Sequence, residues 1–250
     1  MRPYDHLFFD LDNTLGDFTT NSRLAMEPTL EQTKIIQSLN SFDSFFVMYE
    51  QINHSLWNDY HSKKITKQKL IVERFSRSLR AFGIHDYDWV ELNRLYLENM
   101  ALQTQLFPGT METLSVLKIK GYQMHIITNG FREVQHSKLH NCGLARFFTK
   151  VFISEEIQTT KPHRQIFEHA LKSTNAPKKR SVMIGDSWEI DIIGALEFGM
   201  DQIMFLNHER NPIPEAVKLL RNKTISPFLE LKRHTRTYFI DEFIGLDALL

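Results

Sequence analysis

From residue 106 onward the chain repeats one pattern that leaves few folds open: a short apolar run, a polar turn, then a stretch with helical spacing. The runs at 123–128, 150–154, 181–185, 203–206 and 237–240 read as buried strands. Between them, 110–120, 131–141, 164–174 and 189–198 read as helices, and Gly121, Gly143 and Gly199 stand just past three of these, where a left-handed C-terminal cap is expected. Strands joined through helical crossovers imply a parallel sheet with helices on both faces. The apolar run at 6–9 completes that sheet, so the expected class is α/β, with a Rossmann-like parallel sheet.

Between the first and second runs the pattern changes. From about residue 18 to 105 the apolar positions recur at three and four residues, predicting helices over 22–40, 44–60, 67–82 and 89–102, with breaks at Asn40-Ser41, 63–66 and 83–88. This is the pattern of a four-helix unit inserted into the sheet domain, giving an expected division of 1–15 with 106–250 against 16–105. The stretch 207–236 fits neither half well. Pro212, Pro214 and Pro227 interrupt it, and Lys218, Arg221, Lys223, Lys232, Arg233 and Arg236 make it basic. A solvated helix and loop is expected there, with no role assigned.

Charge narrows the partners. Thirty basic and thirty acidic residues cancel, so no overall field draws the chain to nucleic acid or to an anionic membrane, and neither is expected as a partner. No apolar run approaches the roughly 18 to 20 residues that span a bilayer, and residues 1–5 lack a basic stretch leading into a signal-type segment. A cytoplasmic location is the expectation. The single Cys142, among Leu139, Leu144 and Phe147, reads as a structural thiol at a helix end.

Four polar segments lie just beyond predicted strands, and one sheet edge would gather them. In Asp10-Leu11-Asp12, carboxylates two residues apart in an extended chain face the same side. Two anions so close repel unless a cation lies between them or one is protonated, and Mg²⁺ is the natural partner for oxygen ligands beside a phosphate. Thr128-Asn129-Gly130 offers a hydroxyl, backbone N–H groups and the positive end of a helix to phosphate oxygens. Lys161, before Pro162, would bring an ammonium to the phosphate and the nucleophile. Gly185-Asp186 supplies a third carboxylate for a metal, with Asp191 placed to orient it or a bound water. Singly, each reads as easily as a helix cap or a surface group.

In combination and in this order, Asp10-Leu11-Asp12-Asn13-Thr14-Leu15, Thr128-Asn129-Gly130, Lys161-Pro162 and Gly185-Asp186-Ser187 with Asp191 resemble the motifs of the haloacid dehalogenase superfamily, and the helical insertion resembles that family's cap. The resemblance implies that Asp10 attacks phosphorus to form an aspartyl-phosphate. Asp12 would protonate the leaving alcohol and later take a proton from the hydrolytic water. Thr128 and the backbone at Asn129 would bind substrate oxygens, and Lys161 would offset their charge. Mg²⁺ would be held by Asp10, the main-chain carbonyl of Asp12 and Asp186, with Asp191 behind them. Asp12 also separates reaction classes, since the dehalogenating members lack this second Asp and the metal.

A closer resemblance, carried by 8–15, by Leu56-Trp57-Asn58-Asp59-Tyr60, by Ile127-Thr128-Asn129-Gly130-Phe131 and by Ile153-Ser154-Glu155-Glu156 leading to Lys161-Pro162, is to the noncanonical pyrimidine nucleotidase branch. It implies a nucleoside 5′-monophosphate as the small phosphorylated substrate, with Phe18, Trp57, Tyr60 and Phe131 as stacking surface for a base and Arg132 at a polar edge. Other readings are a sugar-phosphate or phosphoglycolate phosphatase and, from a different class, a phosphorylatable signalling module without turnover. The chain departs from the family at Gln158-Thr159-Thr160, where a glycine is common in relatives, so a different path is expected for the loop that carries Lys161.

Overall fold

The computed structural model describes residues 2–206, 213–223, 228–231 and 234–250. Among the described residues, seven strands, β1 (His6–Phe9), β2 (Gln123–Thr128), β3 (Lys150–Ile153), β4 (Ser181–Gly185), β5 (Asp201–Phe205), β6 (Phe228–Leu229) and β7 (Thr237–Ile240), form one sheet in the order β3-β2-β1-β4-β5-β7-β6. Every neighbouring pair is parallel except β6 with β7. The fold is therefore the expected α/β class. The short β6 was not foreseen, because two residues at a sheet edge are too few to show a period.

The helices are α1 (Phe18–Gln32), α2 (Phe42–His61), α3 (Lys67–Arg80), α4 (Trp89–Ala101), α5 (Thr110–Ile119), α6 (Arg132–Asn141), α7 (Ser154–Ile157), α8 (Arg164–Thr174), α9 (Ile193–Phe198) and α10 (Glu215–Lys223). Two spans read as single helices are divided. The span 22–40 ends as α1 at Gln32; Lys34 turns left-handed at φ 60 and a 3-10 turn, Ile35–Ser38, follows. Ile35 carries the apolar period across that break, which hides it from a pattern reading. The span 189–198 opens as a π-helical turn, Trp188–Ile192, before α9. Gly121, Gly143 and Gly199 take the expected positive φ.

The α10 helix supplies the helical part expected within 207–236. Two of its basic residues have acidic neighbours, Lys218 with Glu215 at 3.4 Å and Arg221 with Asp241 at 3.7 Å, and Arg236 lies over the Phe228 ring. Pro212, Pro227, Lys232, Arg233 and the Lys223 side chain lie outside the described residues.

The described chain divides into two compact units. One comprises Met1–Phe18, Gln105–Gln135 and Cys142–Leu250; the other comprises Thr19–Thr104 with His136–Asn141. In the helical unit, Phe45, Tyr49, Phe75 and Tyr96 form a buried aromatic core, and the side chains of Ser41, Thr66 and Asp88 cap the N-termini of α2, α3 and α4. The end of α6 is tied to it by Asn141 Nδ2 donating to the Ala101 carbonyl at 2.7 Å. No helix among the described residues is long and apolar enough to cross a membrane.

In the sheet unit Leu7, Phe8 and Phe9 of β1 are all buried, because both faces of the sheet are covered. Phe8 packs with Ile127, Phe152, Ile166, Phe167 and Met183 in one buried cluster. Each such side chain contributes about 1.5–3 kcal/mol when fully buried. At the other end of the strands from the motif segments, His6 and His125 meet across β1 and β2 with ring nitrogens 3.3 Å apart, and buried His125 stacks on Phe8. Burial, with the neighbouring His6 and Lys150 adding to it, pushes the His125 pKa down to about 4.

The register decides where chemistry can occur. Phe9 pairs with Ile126 on β2 and with Ile184 on β4, so Asp10, Thr128 and Asp186 emerge together at the carboxyl ends of three adjacent strands. The chain runs from β1 to β2 and β3 on one side and returns to β4 and β5 on the other. The crevice beside β1 is therefore the switch point at which open α/β sheets bind ligands.

Candidate active site

Just past β1, the chain turns back on itself. Asp10 N–H donates to the Ile184 carbonyl at 2.8 Å, continuing the sheet by one bond, and the N–H groups of Leu15 and Gly16 both reach back to the Leu11 carbonyl. Asn13 takes the left-handed conformation at φ 62, which asparagine tolerates better than most residues. This hairpin-like turn holds the buried Asp10 and Thr14 side by side and leaves Asp12 partly exposed.

Asp10, Asp186 and Asp191 form a buried cluster in which one oxygen from each lies within 4.8 Å of the others. Thr14 Oγ1 donates to Asp186 Oδ1 at 2.9 Å. Lys161, 1% exposed, lies between the other two, with Nζ 2.5 Å from Asp10 Oδ1 and 2.8 Å from Asp191 Oδ1. Burial opposes the ammonium, but Asp10 and Asp191 together outweigh it and raise the Lys161 pKa. Burial first, then the Asp191 and Asp12 charges, push Asp10 up to about 7 against the pull of Lys161. Asp186 is pushed well above the carboxylate range by burial and by the charges of Asp10 and Asp191, with Thr14 pulling the other way. Three buried carboxylates against one ammonium make a site that takes up either protons or a cation. An all-oxygen donor set of this kind suits a hard divalent ion.

The sequence-predicted residues converge, but not all by the expected contacts. Asp191 meets Lys161 directly and also accepts from the Ser187 N–H at 3.1 Å, so it fixes the lysine. The Asn129 side chain grips the lysine segment: Nδ2 donates to the Lys161 carbonyl and Oδ1 accepts from the Lys161 N–H, both at 2.9 Å. Thr128 Oγ1 accepts from the Gly130 N–H at 3.1 Å, which leaves its hydroxyl hydrogen to donate elsewhere. The departure at 158–160 has a local solution. Gln158 itself takes φ 59, a conformation in which glycine is more usual, and the Asn129 clamp brings Lys161 to Asp10.

At two glycines here an added Cβ would force a neighbouring side chain to move. A Cβ on Gly185 would lie 2.4 Å from the Asp191 carboxylate. A Cβ on Gly130 would lie 1.4 Å from the amide nitrogen of Gln135, a residue that sequence reasoning did not single out. Gln135 is 2% exposed on α6 and donates from Nε2 to Asp12 Oδ2 at 2.9 Å. Nothing in the single sequence marks it, since a glutamine inside a helix is ordinary and only the fold brings it to Asp12.

Of the aromatic residues considered for a base, Trp57 and Tyr60 pack edge to face on α2 with centroids 5.6 Å apart, and Phe131 is buried in the sheet unit. The Arg132 N–H is capped by Glu155 Oε2 at 2.8 Å, which fixes the start of α6.

Comparison with known proteins agrees with this geometry. The family model for haloacid dehalogenase-like hydrolases matches residues 4–199. Pyrimidine 5′-nucleotidase PynA of Streptococcus pneumoniae is 34% identical over 82% of this chain and 85% of its own. Glyceraldehyde 3-phosphate phosphatase of Methanothermobacter thermautotrophicus is 33% identical over 79% of this chain and 84% of its own. A crystal structure of YfnB from Bacillus subtilis bound to magnesium superposes with a TM-score of 0.81 at 26% identity, covering 99% of both chains. A match across both the strand-helix core and its helical insertion leaves one assignment: this chain is a member of the haloacid dehalogenase-like hydrolase family.

Proposed function

We propose that this chain is a Mg²⁺-dependent phosphatase that hydrolyses nucleoside 5′-monophosphates, pyrimidine nucleotides foremost, through an aspartyl-phosphate on Asp10. The observation that carries the reading is the pairing of the Asp10 carboxylate with Lys161 at the mouth of β1, with Asp12 two residues on and Asp186 across on β4. Asp10, the main-chain carbonyl of Asp12 and Asp186 would hold the cation, an assignment the acidic oxygen set fits and the magnesium-bound structure of YfnB supports. When bound, Mg²⁺ offsets charge on the phosphoryl oxygens and on the carboxylates around them.

An Asp10 oxygen attacks phosphorus and the ester P–O bond breaks. The bonding pair stays on the leaving oxygen, which takes a proton from Asp12. A water oxygen then attacks the same phosphorus and gives its proton to Asp12, the bond to Asp10 breaks, and inorganic phosphate leaves. Thr128 and the Asn129 backbone hold phosphoryl oxygens, and Lys161 offsets their charge while steadied by Asp191. The helical unit serves as the cap that excludes water and selects the substrate. The identity to PynA supports a pyrimidine nucleotide, while the similar identity to a glyceraldehyde 3-phosphate phosphatase favours a second reading, a small sugar phosphate. Initial rates of phosphate release from dUMP, dTMP, glyceraldehyde 3-phosphate and phosphoglycolate, with Mg²⁺ and with a chelator, decide between them. The nucleotides are expected to turn over fastest and chelation to abolish the rate; faster turnover of the small esters transfers the assignment to the second reading.

A further inference from the structure

At the amino ends of β1 and β2, remote from the motif segments, two imidazoles share a hydrogen bond that the chemistry above does not use. His6 Nδ1 and His125 Nε2 lie 3.3 Å apart, the ring planes differ by 13°, and the ring centroids stand 5.6 Å apart. Rings of this size at that spacing bring nitrogens so close only when both lie near the line joining the centres, so the two point at each other. The space between them takes one hydrogen: with none the lone pairs oppose, and with two the N–H groups collide. His125 is 3% exposed, and its other nitrogen, Nδ1, is buried with no hydrogen-bond partner among the described residues. A hydrogen on it would be a buried donor without an acceptor, a rarer fault than an unpaired acceptor. The bridging hydrogen is therefore that of His125 Nε2, and half-buried His6 accepts at Nδ1 and keeps its own hydrogen on Nε2.

We propose that this pair is an acid-sensitive lock on the first two strands, closed only while neither ring carries a second hydrogen. A proton added to His6 goes to Nδ1 and meets the His125 N–H, which must then shift to the unpaired Nδ1. A proton added to His125 goes to that same unpaired position. Either uptake breaks the bond or buries a donor without an acceptor, so acid favours an open form in which both rings reach water. Lys150, opposite His125 on β3 with Nζ on the Ser173 carbonyl at 2.7 Å, opposes a positive ring. Asp5 favours one at His6 but is held by Arg2 and Arg180. The neighbouring strands bring uncharged Gln123 and Ser181 opposite His6. On α8, which covers this face, Glu168 and Lys172 pair with each other and His169 lies against Phe152. Lys178 holds the Phe198 carbonyl, and Glu197 on α9 is exposed. Burial keeps both rings below the usual histidine range.

Asparagine at position 6 separates the lock from simple packing, because its side-chain oxygen can accept where Nδ1 does and cannot take a proton. Each ring that gains a proton only on opening multiplies the unfolding equilibrium constant by about tenfold per pH unit below its unfolded value of about 6.5. From pH 6 to pH 5 the unfolding constant of the parent protein in urea titrations should therefore rise about tenfold more than that of His6→Asn. A packing role alone would shift both pH values equally. In the parent protein at pH 7.5, the imidazole nitrogen resonances should show His125 neutral with its hydrogen on Nε2, and on acidification His6 should stay neutral below pH 6.5 for as long as the protein is folded. If His6→Asn fails to fold, these resonances decide alone. Equal rises for parent and variant, a hydrogen on His125 Nδ1, or a His6 that takes its proton in the folded protein at the ordinary histidine value would each overturn the lock.

Discussion

Replacing Lys161 with methionine removes the one ammonium that the buried cluster holds against three carboxylates, and the structure sets how large the effect should be. The side chain is 1% exposed and its Nζ lies 2.5 and 2.8 Å from two different carboxylates. Methionine keeps most of the stem volume, so the loss is chiefly electrostatic. Breaking a buried pair from one side costs about 3–5 kcal/mol, because the remaining charge is left uncompensated. In a chain of this size that lowers the melting temperature by roughly 10 °C. The cost should depend on pH. Asp10 already sits at about 7 with Lys161 beside it, and losing the ammonium moves it higher. A carboxyl group whose pKa is raised on folding makes the folded state bind more protons than the unfolded one. Its penalty is absent below the unfolded value of about 3.9 and grows as pH rises towards the folded value. Urea unfolding of Lys161→Met and the parent protein at pH 5.5 and pH 8 should therefore show a wider gap at pH 8, and added Mg²⁺ should narrow it. Phosphatase assays on the same samples should show kcat reduced and KM raised together. A gap below about 1 kcal/mol at pH 8, or one of equal size at both pH values, would refute the view that this lysine neutralises the cluster.

The same structure sets three further outcomes. Asp10→Asn should abolish turnover while leaving the circular dichroism melt close to that of the parent, since the amide keeps the shape and not the nucleophilicity; measurable turnover in a contamination-free preparation would remove Asp10 from its role. Gly185→Ala should cost about 1–3 kcal/mol and most of the activity, because its Cβ would lie 2.4 Å from the Asp191 carboxylate that steadies Lys161; a melt and a rate both unchanged would contradict the packing. His125, held at about 4 by burial, makes the folded state bind fewer protons than the unfolded one, so its contribution is full above about 6.5 and is lost as pH falls from there towards 4, by at most about 3 kcal/mol. The stability of His125→Phe relative to the parent should accordingly improve from pH 7 to pH 4.5 in urea titrations, and a constant difference would count against this.

The sequence by itself determined the class of fold and the meeting place of the motif residues. Short apolar runs separated by helical spacing force parallel crossovers, and parallel strands deliver the residues after each run to the same edge. That is why Asp10, Thr128 and Asp186 could be brought together on paper. Lys161 follows no strand directly, and its position was left to the fold: Asn129 grips its backbone, and Gln158 takes the turn that a glycine would have made easy. The roles of individual side chains were likewise decided only in three dimensions. Asn129 spends its amide on the lysine segment, Asp191 meets Lys161 directly, and Gln135 reaches Asp12 from 123 residues away. The physical reason is one of range. Periodicity and turn chemistry act over a few neighbouring residues and are written along the chain, whereas a hydrogen bond between distant side chains depends on register, helix rotation and the absence of a Cβ at positions such as 130 and 185, none of which leaves a local trace.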